Sequence, residues 1–153
     1  MDYRFDAYCG LYCGSCERLH ASKDNKLTEF SKDGNQLIED IKCFGCKSDT
    51  VAKHCRTCEI KLCNQEKNIE FCNQCPEYPC VKLTEFKETP RYPYHCEVFD
   101  NLKFIEEKGL KQWLEEQQNR WSCPKCNNEF MWYTQQCEQC GTEVNGYVRY
   151  SEK

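Results

Sequence analysis

The chain has 153 residues, 16 of them Cys, with 7 Gly, 5 Pro and a net charge of −4. Leu, Ile, Val and Phe supply only 27 of the 153 residues, a share too small for an ordinary core, while the modest charge does not complete the signature of a disordered chain. These figures exclude a collagen, a coiled coil or a membrane protein and leave one or two small globular domains stapled by cysteine chemistry.

The N-terminal run MDYRFDAYCGLYCGSC has no basic segment followed by an apolar one, so no secretory leader is expected and the chain reads as cytoplasmic. No stretch approaches the roughly 18 consecutive apolar residues of a membrane span. Thiols in a reducing compartment at short regular spacing read as metal ligands. Disulfides are the alternative, should a leader have been removed.

In chain order, the first cluster is Cys9-Gly-Leu-Tyr-Cys13-Gly-Ser-Cys16. Its C-x3-C-x2-C spacing is the one with which S-adenosylmethionine radical enzymes hold an iron-sulfur cluster. Those enzymes need a large α/β barrel that 153 residues of this composition do not supply. The enzyme reading is therefore set aside, and an iron-sulfur cluster is kept as the alternative cofactor at this position. If 13 to 22 is helical, Cys13, Cys16 and His20 share one face; a surface histidine near a helix end is the simpler reading of His20. The polar stretch from Ser22 to Asn35 reads as a surface loop or frayed helix, and Leu37, Ile38 and Ile41 mark a short helix ending before Cys43.

Cys43-Phe-Gly-Cys46 comes next, and Cys55-x2-Cys58-x4-Cys63 recurs seventeen residues later as Cys72-x2-Cys75-x4-Cys80. Ligands this dense would fold a region with few aliphatics of its own. Tyr78-Pro79 opens a helix with Leu83 and Phe86 on its apolar side, and Cys80 in its first turn would be favoured as a thiolate by the helix dipole. Cys96, after Tyr92-Pro-Tyr-His95, reads as a fourth ligand, a buried apolar thiol or a reactive thiolate. The longest helix is expected over Glu97 to Lys108, capped by Gly109 and followed by another from Leu110 to near Asn119. These helices would cover the metal-bound loops.

A boundary near Arg120 separates a cysteine-rich metal-binding domain, 1–119, from a C-terminal unit, 120–153. There Cys123-Pro-Lys-Cys126, ten intervening residues and Cys137-Glu-Gln-Cys140 form the pattern of a zinc ribbon, with four thiolates in a closed tetrahedral site. Phe130-Met-Trp132-Tyr133 and Tyr147-Val148-Arg149-Tyr150 are expected as its strands. Rubredoxin-like iron is the rival metal, since all-thiolate tetrahedra accept either.

Six C-x2-C pairs and the single Cys9, Cys63, Cys80 and Cys96 thus make all sixteen cysteines candidate ligands. Twelve remain outside the ribbon, enough for three more four-thiolate sites; spacing does not say which pair joins which. His20, His54 and His95 are the only imidazoles available.

The segments YCGLYCGSC, CFGC, CRTCEIKLC and CNQCPEYPC, with GLKQW and the CPKC/CEQC pair after them, resemble a family of small, uncharacterised, cysteine-rich bacterial and archaeal proteins. The resemblance covers nearly the whole chain and implies zinc binding without implying an activity.

The expected fold is a small metal-stabilised α+β protein, helical and irregular in its N-terminal part with a C-terminal β zinc ribbon. The expected function is that of a zinc-binding protein holding several ions, a non-enzymatic scaffold or adaptor rather than an enzyme. An iron-sulfur or thiol-based redox or metal-handling protein is the alternative. Residues 1–120 carry 18 Lys/Arg against 21 Asp/Glu, and 121–153 carry 3 against 4. A nucleic-acid partner, which would need a cationic excess, is therefore not expected. The expected partner is a protein of unknown identity, and no membrane contact is expected.

Overall fold

The computed structural model describes residues 2–150. Its helices are α1 (Glu17–Lys23), α2 (Leu27–Gly34), α3 (Ile38–Ile41), α4 (Lys53–Arg56), α5 (Glu59–Lys67), α6 (Val81–Lys87), α7 (Val98–Lys108) and α8 (Leu110–Arg120). Single 3-10 turns at Cys13–Ser15, Cys72–Gln74 and Pro93–Glu97 precede α1, α6 and α7.

The two longest helices form where apolar spacing is best. On α7, Val98, Asn101, Leu102 and Ile105 fall at helical intervals and are buried. Gly109 turns the chain, and α8 returns with Trp113 and Gln117 inward. Trp113 is fully buried, with the Tyr12 ring edge-on at 6.0 Å, and Gln117 Oε1 accepts a hydrogen bond from Trp121 Nε1 at 3.2 Å. Leu83 of α6 joins the same apolar cluster, as do Phe130, Trp132 and Val144 beyond residue 120.

The first cysteine loop lies directly on α7. Asn101 Nδ2 donates to Gly10 O at 2.8 Å, and Gly10, at φ +94°, leaves room that a Cβ would fill 2.8 Å from Val98 O and 2.9 Å from Leu102 Cγ. A second backbone link joins this loop to the central repeat, where Cys72 N–H donates to Tyr8 O at 3.0 Å.

The expected C-terminal β zinc ribbon, and the α+β class with it, is not what the chain forms. Helix, 3-10 turns included, accounts for 48% of the described residues and strand for 4%. Among the described residues that strand consists of isolated bridges, Asp6 with Tyr12, Ser122 with Glu129 and Gln136 with Glu143, and no sheet is present. One backbone bond joins the two aromatic segments expected as strands, from Tyr147 N–H to Trp132 O, while Phe130 N–H donates to Trp121 O at 2.9 Å and Trp132 N–H to Ser15 O at 3.1 Å. Their rings enter the helical core: Trp132 stacks on Tyr94 with centroids 3.7 Å apart, and Trp121 meets Phe130 edge-on at 5.5 Å. The bonds that continue between 134–137 and 142–146 make the single bridge of Gln136 with Glu143 and not the consecutive pairs of a ladder.

The stretch from 13 to 22 is likewise not one helix. Cys16 is extended, at φ −73° and ψ 131°, between the 3-10 turn and α1. His20 is buried rather than at the surface, with Nε2 2.6 Å from Gly14 O.

Candidate metal centres

The tightest thiol set follows directly from α8. After Trp121 the chain makes two turns of the same design. Cys123 N–H donates to Asn128 O and Asn127 N–H to Cys123 O, both at 2.8 Å; Cys137 N–H donates to Thr142 O at 2.8 Å and Gly141 N–H to Cys137 O at 2.9 Å. Four residues after the first cysteine of each turn stands a left-handed residue, Asn127 at φ +65° and Gly141 at φ +77°, positions that Asn and Gly tolerate best. The turns face each other. Cys123 Sγ lies 3.6 Å from Cys140 Sγ, and Cys126 Sγ lies 3.5 Å from Cys137 Sγ. All four sulfurs are within 4.8 Å of one another, the only such set of three or more ligand atoms among the described residues.

These spacings match a metal tetrahedron, whose edge is about 3.8 Å for metal–sulfur bonds of about 2.3 Å. They are far longer than a disulfide bond of about 2.05 Å, and all sixteen cysteines are free thiols. The sulfurs are also fed by amides. The amide of Cys140, with that of Gln139, lowers the Cys137 pKa, and the Thr142 hydroxyl and amide lower that of Cys140. At Cys126 the Asn128 amide works the same way, but burial and the facing thiols outweigh it and raise the pKa. The facing turns thus pull the thiols of Cys137 and Cys140 down and that of Cys126 up. A divalent cation would let all four ionise.

A second group forms where α5 meets the turn at Cys72–Gln74. Asn64 Nδ2 donates to Cys72 Sγ at 3.2 Å, Lys67 Nζ to Cys75 Sγ at 3.0 Å, and Glu77 N–H to Cys75 Sγ at 3.4 Å. The Lys67 ammonium, then the Glu77 amide, hold the Cys75 pKa below its ordinary value. Burial raises Cys72 to about 11 against the Asn64 amide, with the neighbouring thiols of Cys80, Cys63 and Cys75 adding to the rise. Cys80 and Cys75 of the same copy and Cys63 of the preceding one thus act on Cys72, although no three of these four sulfurs lie within 4.8 Å of one another. Cys80 stands just before α6 as its cap residue, not in its first turn.

The remaining seven thiols from Cys9 to Cys58 lie around the N-terminal loop. Gly45 N–H points at Cys43 Sγ at 3.4 Å, and Cys43 N–H donates to Ser22 Oγ of α1 at 2.9 Å. Burial lifts Cys9 and Cys13 well above the ordinary thiol range, the Cys46 thiol adding to each. Cys16 is lifted to about 11 by burial, opposed by the Leu19 amide and reinforced by the Cys43 thiol. Cys46 is lifted by burial against the Tyr8 amide and the Lys61 ammonium, with the Cys58 thiol adding. Burial also raises Cys55, with Cys43 and Cys16 as its leading thiol neighbours. So many buried thiols close together stay neutral unless a cation joins them.

Cys96 is exposed, with Sγ 3.6 Å from the Tyr147 hydroxyl. His95 is buried, stacked on Phe86 at 3.7 Å, with Nδ1 3.0 Å from Phe86 O, and burial lowers its pKa to about 4. His54 is the imidazole that meets a thiol, its Nε2 3.3 Å from Cys55 Sγ. Desolvation by the surrounding protein, with the Arg18 guanidinium adding, lowers its pKa to about 4 and keeps it neutral.

Sequence reasoning missed the amide donors two residues after cysteines, at Gly45, Glu77, Asn128 and Thr142. Part of the signal was present in the Gly or Asn that follows or interrupts the C-x2-C turns. It also missed α5, because the positions α5 buries are Ile60, Lys61 and Asn64, a pattern no count of aliphatics detects.

DUF3795, a family described as protein of unknown function, matches over residues 5–85. That span holds eleven cysteines, from Cys9 to Cys80, and leaves Cys96 and the C-terminal quartet outside it. No curated protein and no solved structure matches the chain.

Proposed function

The chain belongs to the DUF3795 family, and on that footing we propose that it is a non-enzymatic zinc protein, a scaffold or adaptor whose cysteine-ligated ions hold its loops in place. One observation carries this reading: Cys123, Cys126, Cys137 and Cys140 occupy all four corners of a tetrahedron, leaving no position at which water or substrate could bind an ion there. A catalytic zinc keeps such a position open. The clefts agree with this. A polar one of about 460 Å³ between α1, α2 and Glu129, and an apolar one of about 540 Å³ beside Leu110 and Leu114, have no cysteine in their walls.

A cytoplasmic location keeps thiols reduced, and no helix among the described residues is long and apolar enough to cross a membrane. The net charge of −4 supports a protein partner over a nucleic acid.

Elemental analysis and visible spectroscopy of full-length protein, purified with and without oxygen, test the proposal. Colourless protein with at least three zinc per chain is expected. Brown protein with stoichiometric sulfide would overturn the zinc reading in favour of a redox or electron-transfer role.

A further inference from the structure

Two short helices bring one pattern of side chains to a shared cleft. Glu17, His20, Ala21 and Asp24 line it from α1 and its cap residue, and Lys26, Glu29, Phe30 and Asp33 line it from α2 and the residue before it. Each set falls at i, i+3, i+4 and i+7, the spacing of a single helix face. The third wall is the chain after α8, with Glu129, Met131 and Glu138, and the space between the walls is about 460 Å³. We propose that this cleft is a docking site for a lysine-bearing basic segment of a protein partner, with one lysine ammonium seated between His20 Nδ1 and the Asp24 carboxylate. The proposal rests on the scaffold reading above and deepens it by naming the chemistry of the partner.

His20 separates this cleft from an ordinary acidic surface. The residue is only 7% exposed, and its Nε2 lies 2.6 Å from Gly14 O. A carbonyl only accepts, so in the neutral ring Nε2 carries the proton and Nδ1 is left as an acceptor. Nδ1 makes no hydrogen bond among the described residues. It faces Asp24 Oδ2 at 3.8 Å, a carboxylate oxygen that also only accepts. Two acceptors held side by side in this way call for a donor with more than one N–H. An ammonium has three rotatable N–H groups and serves acceptors on two separate side chains, whereas the flat fork of a guanidinium suits the two oxygens of one carboxylate.

Charge and shape complete the match. Six carboxylates line the cleft against Lys26 and Arg149. Two of the six are already paired, Glu129 with Lys23 at 2.8 Å and Glu17 with Arg149. Glu29, Asp33 and Glu138 are exposed and have no ion pair among the described residues. Such a ring draws in a cation and repels an acidic chain. Between the carboxylates, Ala21, Phe30 and Met131 give an apolar strip that covers the methylene stem of a lysine. None of the residues of α2 is buried, so the face it turns to the cleft is not filled by the chain itself. A peptide spreads its side chains to all three walls, whereas a linear polyamine follows one line.

Fluorescence anisotropy of full-length, zinc-loaded protein with a labelled peptide of alternating lysine and glycine tests the proposal. Binding that weakens as salt rises is expected. Glu29→Gln and Asp33→Asn should each weaken it roughly two- to fivefold, while Glu116→Gln, exposed on α8 and outside the cleft, should leave it unchanged. His20→Gln is the sharper variant: its amide keeps a donor for Gly14 O and offers no acceptor where Nδ1 stands, so the loss should be about tenfold or more. Nitrogen NMR of the wild type should show the peptide moving the Nδ1 resonance of His20 while Nε2 stays in place. Peptide with its lysines acetylated should not bind. Equal binding of the acetylated peptide would overturn the proposal, as would wild-type affinity in His20→Gln or in the Glu29→Gln/Asp33→Asn double variant. Free spermidine binding as tightly as the peptide would overturn it too, by making the cleft a polyamine site. Zinc counted on the same samples keeps the two readings apart. Zinc-loaded protein that ignores the peptide refutes the docking site alone, and peptide binding by protein that holds iron and sulfide refutes the zinc alone.

Discussion

Gly45 is the position where a single methyl group should do most harm to the metal-binding loops. It adopts φ +119°, and a Cβ there would stand 1.8 Å from Arg4 O and 2.7 Å from Arg4 C. Those atoms are backbone, held in place by Arg4 N–H donating to Phe44 O at 2.7 Å, so the overlap is relieved only by moving one strand of chain off the other. Gly45→Ala therefore costs about 1–3 kcal/mol in backbone strain, about 1 kcal/mol for the displaced hydrogen bond, and whatever the shift takes from the Cys43 turn. The sum is on the order of 3 kcal/mol, or a melting point roughly 6–12 °C lower for a chain this size. Gly109→Ala is the matched control: φ is +90°, yet a Cβ would meet nothing within 4 Å, so it carries the strain alone. Thermal and urea unfolding of the zinc-loaded proteins, with zinc counted on each, should show Gly45→Ala at least about 1 kcal/mol below Gly109→Ala. Gly45→Ala should also lose zinc from the Cys43/Cys46 region while Gly109→Ala keeps its full complement. Equal stability of the two variants with equal zinc would refute the steric argument.

Lys67→Met should raise the Cys75 pKa by removing the ammonium that holds it down. Because protons compete with metal for a thiolate, the pH midpoint of acid-induced zinc release from that group should move upward, read with a chromogenic zinc indicator. Cys96→Ser should leave the zinc count unchanged and remove the thiol that alkylates fastest in loaded protein, since Cys96 is exposed while every other cysteine is buried or half-buried. Zinc binding should release protons at neutral pH, because Cys9, Cys13 and Cys16 titrate above the ordinary thiol range without metal. Apparent affinity should then rise with pH up to the raised thiol pKa values and fall as pH drops. Calorimetry in buffers of different ionisation enthalpy reads the proton number directly.

The helices α7 and α8 were legible because their buried positions are ordinary apolar residues at helical spacing, Val98, Leu102, Ile105 and Trp113. The Gly109 turn between them was marked by its own residue type. The four C-terminal cysteines were legible as one set because two C-x2-C turns only ten residues apart have no nearer partner. The strands were not, because β-prone rings such as Trp132 are equally good core residues. Which use they take depends on whether the backbone beside them pairs with itself or with a distant segment, here Ser15. Pairing of the N-terminal thiols was illegible for a related reason. Cys13 and Cys16 are neighbours in a C-x2-C turn, yet thiols of a distant loop, Cys46 and Cys43, act on them as well, a meeting that only the packing of separate loops decides.

Local and long-range ligation put different demands on this chain. The quartet from Cys123 to Cys140 closes within eighteen residues, so an ion there fixes two turns that already share a hydrogen-bond pattern, and loop-closure entropy is small. The thiols around the N-terminal loop come from segments between Cys9 and Cys58, where aliphatic residues are few and the Cys43 and Cys55 loops have only a small apolar cluster of their own. There an ion would substitute for a core, as in small domains whose metal-binding free energy is their folding free energy. The matched family span ends at residue 85 and includes every long-range thiol group, while the helical hairpin and the quartet lie beyond it. Those later elements attach through Trp132 N–H, which donates to Ser15 O, and through the Gly10 contact with α7. Stripping zinc should accordingly collapse the loops of residues 9–63 before it disturbs the packing of Trp113 between α7 and α8, because the hairpin is held by side-chain burial and the loops are held by charge.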